Sequence, residues 1–68
     1  MPRISKEIPT GNTNGSNTVF TLVQPILQLD DVFVDGEIYL GTVTPSGSQI
    51  TLADAPQTSI LVDYYYAN

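Results

Sequence analysis

The chain has no cysteine, no histidine and no tryptophan, and only two cations, Arg3 and Lys6, among its 68 residues. Without cysteine there can be no disulfide, and without cysteine or histidine the usual zinc sites have no ligands. The same absences remove the commonest general bases and the thiol nucleophile. The single lysine sits near the N-terminus and the serines fall in turn-like stretches without a base nearby, so a nucleophilic triad has no material. The chain is expected not to be an enzyme and to need no cofactor or metal. No apolar run approaches the roughly 18 residues of a membrane-spanning helix, and the opening Met-Pro-Arg-Ile-Ser-Lys-Glu lacks the apolar stretch of a signal peptide. Neither a membrane partner nor secretion is expected.

Seven acidic residues against two cations give a net charge of −5, and both cations lie within the first six positions. From Glu7 onward the chain is anionic or neutral, a surface that a nucleic-acid backbone would repel. Hydrophobic residues make up 41% and charged ones 13%, too apolar a balance for a disordered chain. A single small domain follows. Ordering it costs roughly 1.5 kcal/mol per residue, on the order of 100 kcal/mol in all, which a core of this size offsets with difficulty. With disulfides and metals excluded, self-association or docking on a larger partner is the expected remedy.

Residues 1–17 carry Pro2, Pro9, Gly11 and Gly15 and end in the polar run Thr10-Gly11-Asn12-Thr13-Asn14-Gly15-Ser16-Asn17, which favours turns or extended chain. They read as an N-terminal arm and polar loop, of which residues 1–15 are expected to contribute little to folding but to matter for assembly, with Ile4 and Ile8 able to anchor on a neighbour and Arg3 and Lys6 offering it positive charge. Residues 18–68 read as the β-domain. Thr18 to Val23 alternates as a strand with Phe20 and Leu22 on one side, and Gln24-Pro25 ends it because proline cannot donate to a ladder. Ile26 to Leu29 reads as a turn or irregular segment.

Asp35-Gly36, between Val32-Phe33-Val34 and Glu37-Ile38-Tyr39-Leu40, is a strong signal for a two-residue type I′ hairpin that places Val34 opposite Glu37 and Phe33 opposite Ile38. Pro45-Ser46-Gly47 fits a type I turn with a glycine bulge, joining a strand near residues 41–44 to one near 49–52. Residues 53–58 form a loop, and the last strand, 59–66, sets Ile60, Val62, Tyr64 and Tyr66 on one face and Leu61, Asp63 and Tyr65 on the other. Both faces are largely apolar, so either the sheet curls into a small sandwich or barrel or another chain covers one side. The expected fold is all-β, a small antiparallel meander of about five strands forming a sandwich or open barrel, with an extended N-terminal arm.

Asp30-Asp31, Asp35 and Glu37 crowd one hairpin, but neighbouring strand residues point to opposite faces and the spacing matches no calcium loop. The run of residues 12–17 resembles such a loop without offering a carboxylate, and Asn14-Gly15-Ser16 has the form of a glycosylation acceptor with no secretory route. All of these read as turn chemistry. Tyr64 and Tyr66, with Tyr39 near them, are the candidate patch for a partner surface or for stacking sugar rings; core or intersubunit packing is favoured over sugar binding, since sugar sites usually add tryptophan.

Four stretches in order, Gly15-Ser16-Asn17-Thr18-Val19-Phe20-Thr21-Leu22, Val32-Phe33-Val34-Asp35-Gly36, Gly47-Ser48-Gln49-Ile50-Thr51-Leu52-Ala53-Asp54-Ala55-Pro56 and Ile60-Leu61-Val62-Asp63-Tyr64-Tyr65-Tyr66, resemble a small β-module of tailed-bacteriophage virion proteins. The resemblance covers the chain from Gly15 onward. It implies a structural role in capsid decoration, neck, tail or fibre, with other virion proteins (major capsid, neck or tail subunits) as partners, a homo-oligomeric state and localisation in the virion after synthesis in the host cytoplasm. A stand-alone copy beginning at Met1 is expected to be a small virion accessory. The rival expectation is a carbohydrate- or host-surface-binding module using Tyr64, Tyr66 and the acidic hairpin. The candidate interface residues are Arg3, Ile4, Lys6, Ile8, Tyr39, Tyr64 and Tyr66.

Overall fold

A computed structural model describes residues 2–66, and every regular element in it is a β-strand: β1 (Arg3–Glu7), β2 (Val19–Thr21), β3 (Ile26–Val34), β4 (Glu37–Ile38), β5 (Val43–Ser46), β6 (Gln49–Leu52) and β7 (Ile60–Tyr66). They form a four-stranded antiparallel sheet in the order β1-β7-β3-β4 and a three-stranded one in the order β2-β6-β5. The inner faces meet over one core. Phe20, Leu22, Ile50 and Leu52 come from the smaller sheet and its flanks, and Val32, Ile60, Val62 and Tyr64 from the larger. Alternation along β2, β6 and β7 decides this, since one face of each strand supplies all its buried apolar residues.

The fold is all-β as the sequence predicts, with seven strands rather than five. One addition is β1. Of the expected arm, residues 3–7 form a strand against β7, with Arg3 opposite Tyr65, Ile4 opposite Tyr64 and Glu7 opposite Val62. Three residues on β1 span what two span on β7, so the pairing holds a bulge at Lys6, whose φ is 57°. The Lys6 N–H leaves the ladder and donates to Asp63 Oδ1 at 2.6 Å. A charge-assisted bond to a buried carboxylate offsets the left-handed backbone.

A further difference is that β3 starts earlier than the sequence suggests, at Ile26. Ile26 to Leu29 shows no clean alternation because β3 carries register shifts between Ile26 and Gln28 and between Leu29 and Val32, and each shift reverses the apparent period. The Asp35-Gly36 hairpin is as expected, with Phe33 opposite Ile38, Val34 opposite Glu37, and φ of 54° at Asp35 and 84° at Gly36. In the next hairpin Pro45 stays inside the strand, opposite Ile50, and the turn is Gly47-Ser48. β5 is an edge strand, where a missing N–H on the outward side costs no ladder bond.

The Asp35 carboxylate clips the hairpin to the loop before β7. It accepts the N–H groups of Thr58 at 2.7 Å, Gln57 at 3.1 Å and Ser59 at 3.2 Å, and the Thr58 hydroxyl at 3.0 Å. The Thr58 N–H, with those of Ser59 and Gln57 and the Thr58 hydroxyl, holds the Asp35 pKa below the ordinary carboxylate value against a smaller desolvation effect.

Candidate functional site

The outer face of the four-stranded sheet carries the side chains that do not serve the shared core. Leu61 on β7 faces Phe33 on β3, which in turn faces Ile38 on β4. Ile8, just past β1, shares a groove wall with Leu61 at the other end of this row. Ile38 is 51% exposed and Ile8 76%, so the row ends in two aliphatic side chains lying open to solvent.

Beside the row lies a compact ion network. Asp63 projects from the outer face of β7 yet is only 4% exposed, since Arg3 and Lys6 lie over it. Arg3 Nη2 reaches Asp30 at 2.8 Å and Asp63 at 3.2 Å, and Lys6 Nζ stands 3.8 Å from Asp63. The Arg3 pKa is raised, first by its hydrogen bond to Asp30 and then by the charges of Asp30 and Asp63. Lys6 Nζ also sits 3.7 Å from the centre of the Phe33 ring, and Arg3 Cζ 5.9 Å from that of Tyr65. Two cations meet two carboxylates, so this cluster has no net charge. The remaining five acids, Glu7, Asp31, Asp35, Glu37 and Asp54, account for the whole −5. A charge-balanced cluster beside an apolar row, on a body of net charge −5, lessens the repulsion that another acidic protein would meet there.

Of the residues singled out from the sequence, Arg3, Lys6 and Ile8 come together on this face. Ile4 does not: it is half-buried against the core, opposite Tyr64. The expected tyrosine patch is dispersed. Tyr64 is fully buried, its hydroxyl donating to Glu7 Oε1 at 2.7 Å and accepting from the Gln24 N–H at 3.3 Å. Burial and the bond to Glu7 push its pKa up to about 12. Tyr66 is half-buried beside it, with ring centres 6.5 Å apart. Tyr39 lies elsewhere, over Gly41, its hydroxyl donating to Asp54 Oδ2 at 3.0 Å and accepting the Asp54 N–H at 3.1 Å. These three rings offer no common exposed plane on which a sugar could stack.

Phe33, Ile38, Leu61 and Asp63 belong to the face but were not among the sequence candidates. Their signal lies in β7, where Leu61 and Asp63 alternate out of phase with Ile60, Val62 and Tyr64. Among the described residues no three acidic side chains converge in a way that could hold a metal ion. No protein-family model, no curated protein and no solved structure matches the chain, so the reading of this face rests on its own geometry and on the sequence resemblance.

Proposed function

We propose that the chain is a non-catalytic structural subunit of a tailed-bacteriophage virion, a capsid decoration or cement protein or a small neck or tail accessory. It works by seating the outer face of the four-stranded sheet on other virion subunits or on copies of itself. The observation that carries this reading is the row Ile8, Leu61, Phe33 and Ile38 beside the charge-balanced cluster of Arg3, Lys6, Asp30 and Asp63. The sequence resemblance supplies the type of assembly, and the smallness of the core supplies the need for a partner.

The test is mass spectrometry of density-purified particles of the virus that encodes the chain, paired with binding of the purified protein to those particles. The chain is expected in many copies per particle, and the double substitution Ile8→Asp with Ile38→Asp should abolish binding while leaving the melting temperature nearly unchanged, because both side chains are exposed. Absence from particles, or undiminished binding by the double variant, overturns the proposal.

A further inference from the structure

The N-terminal segment runs antiparallel beside residues 56–66 and is tied to every second residue of that stretch but one. The Tyr66 N–H donates to the Pro2 carbonyl at 3.0 Å, Ile4 faces Tyr64, and Glu7 faces Val62. Further along, the Thr13 hydroxyl donates to the Thr58 carbonyl at 3.3 Å and the Gly15 N–H to the Pro56 carbonyl at 2.9 Å. In an antiparallel strand the N–H and C=O of alternate residues point to the same side. The Asp35 N–H, bonded to the Ser59 carbonyl at 3.0 Å from the β3 side, fixes the same phase independently.

Ile60 is therefore the remaining position of this series, and among the described residues neither its N–H nor its C=O meets a partner on that side. The cause is legible in the sequence. Continuing the register from Glu7 and Val62 would set Pro9 opposite Ile60, and proline has no N–H to give. The chain swings away instead, and Thr10 exchanges two backbone bonds with Thr21 beside the smaller sheet, at 2.8 and 2.9 Å. Between the diverging segments lies a groove of about 260 Å³, lined by Ile8, Pro9, Ile60 and Leu61 and also by Thr13 and Thr58. Ile60 is only 2% exposed, and a buried, unpaired backbone amide is rare enough to require an explanation.

Another edge shows how this chain completes an open ladder position. At the outer edge of β2 the Asn17 side-chain amide donates to the Val19 carbonyl at 2.8 Å, and its oxygen faces the Val19 N–H at 3.4 Å. One carboxamide thus addresses both backbone groups of one strand residue. We propose that the groove at Ile60 binds a carboxamide on an apolar stem, presented as a glutamine or asparagine side chain of a partner protein. The amide oxygen accepts the Ile60 N–H, the amide nitrogen donates to the Ile60 carbonyl, and the stem packs on Ile8, Pro9 and Leu61. A carboxylate could not donate to the carbonyl and would be repelled by a chain of net charge −5; an ammonium could not accept the N–H. Only the source of the amide rests on the assembly reading.

The probe is butyramide, titrated into the isotopically labelled intact protein by NMR, with N,N-dimethylbutyramide and butyrate as comparisons. Butyramide is expected to shift the Ile60 amide resonance saturably, with Leu61 and Thr58 following the same curve. The dimethyl analogue, which cannot donate, should bind about fivefold more weakly or worse, the factor one lost hydrogen bond is worth. Equal binding by the analogue or by butyrate, no saturable shift at Ile60, or an Ile60 amide as protected from hydrogen exchange in the free protein as that of Val62 would each overturn the proposal. Because the titration uses the isolated protein, its failure is separate from absence of the chain from particles, which bears on the assembly role alone.

Discussion

Removing residues 1–7 tests most directly whether β1 is an arm or part of the body. The deletion takes away Arg3 and Lys6, the counter-charges of Asp63, and the Lys6 N–H that meets the same carboxylate at 2.6 Å. Because the deletion also uncovers Asp63 to water, the cost there is that of the lost charge-assisted contacts, about 1.5–3 kcal/mol. Glu7 also goes, and with it the acceptor of the buried Tyr64 hydroxyl, a bond to a charged group worth about 1.5–3 kcal/mol. Losing half-buried Ile4 adds about 1 kcal/mol of apolar contact. The sum, roughly 4–7 kcal/mol, compares with a total stability of about 3–10 kcal/mol for a domain of this length. The truncated chain should therefore be unfolded or close to it at 25 °C. Urea titration followed by far-ultraviolet circular dichroism is the assay, with Asp63→Asn in the full chain as companion. That variant keeps the shape and removes the charge, so it should lose only part of the stability. A truncated chain that still unfolds cooperatively at the full-length urea midpoint would refute the argument and restore the arm.

Asp35→Asn keeps a residue that tolerates positive φ and removes the charge. Since the folded pKa of Asp35 is depressed, its contribution is present above the unfolded value of about 4 and is lost as pH falls through the lower folded value. The wild-type urea midpoint should drop more steeply than the variant's below about pH 4, and parallel curves would count against the clip. For Tyr64 the sign is reversed: with a folded pKa near 12, the stabilisation is complete below about pH 10 and fades as pH rises through about 12. An absorbance titration should show a late tyrosine step that Tyr64→Phe removes; persistence of the step in the variant would assign it elsewhere. A Cβ at Gly36 meets no atom within 4 Å, so Gly36→Val costs only its positive φ, about 1–2 kcal/mol, which corresponds to a melting temperature lower by roughly 4–16 °C. An unchanged melting temperature would contradict the hairpin geometry.

How much could be read from residue order follows from the range over which each interaction acts. The Asp35-Gly36 turn, the alternation of Phe20 with Leu22, and the two-faced final strand are local, and local sterics with period-two burial were enough to place them and to give the all-β class. Pro9 and the polar run after it were legible as an interruption, but not what they interrupted. The rest depended on partners far along the chain. Ile26–Leu29 looked irregular because bulges, which depend on the facing strand, scramble its period. Arg3 and Lys6 looked like free charges on an arm because the carboxylate they cover, Asp63, lies about sixty residues away and shows its burial only once β1 is laid against β7. Tyr64 could be placed on the Ile60 and Val62 face of the last strand, but nothing local reveals that Glu7 waits in the core to accept its hydroxyl. Sequence by itself set which residues alternate, turn and break; the tertiary pairing of the first strand with the last decided which face is covered, which charges cancel, and where the ladder stays open at Ile60.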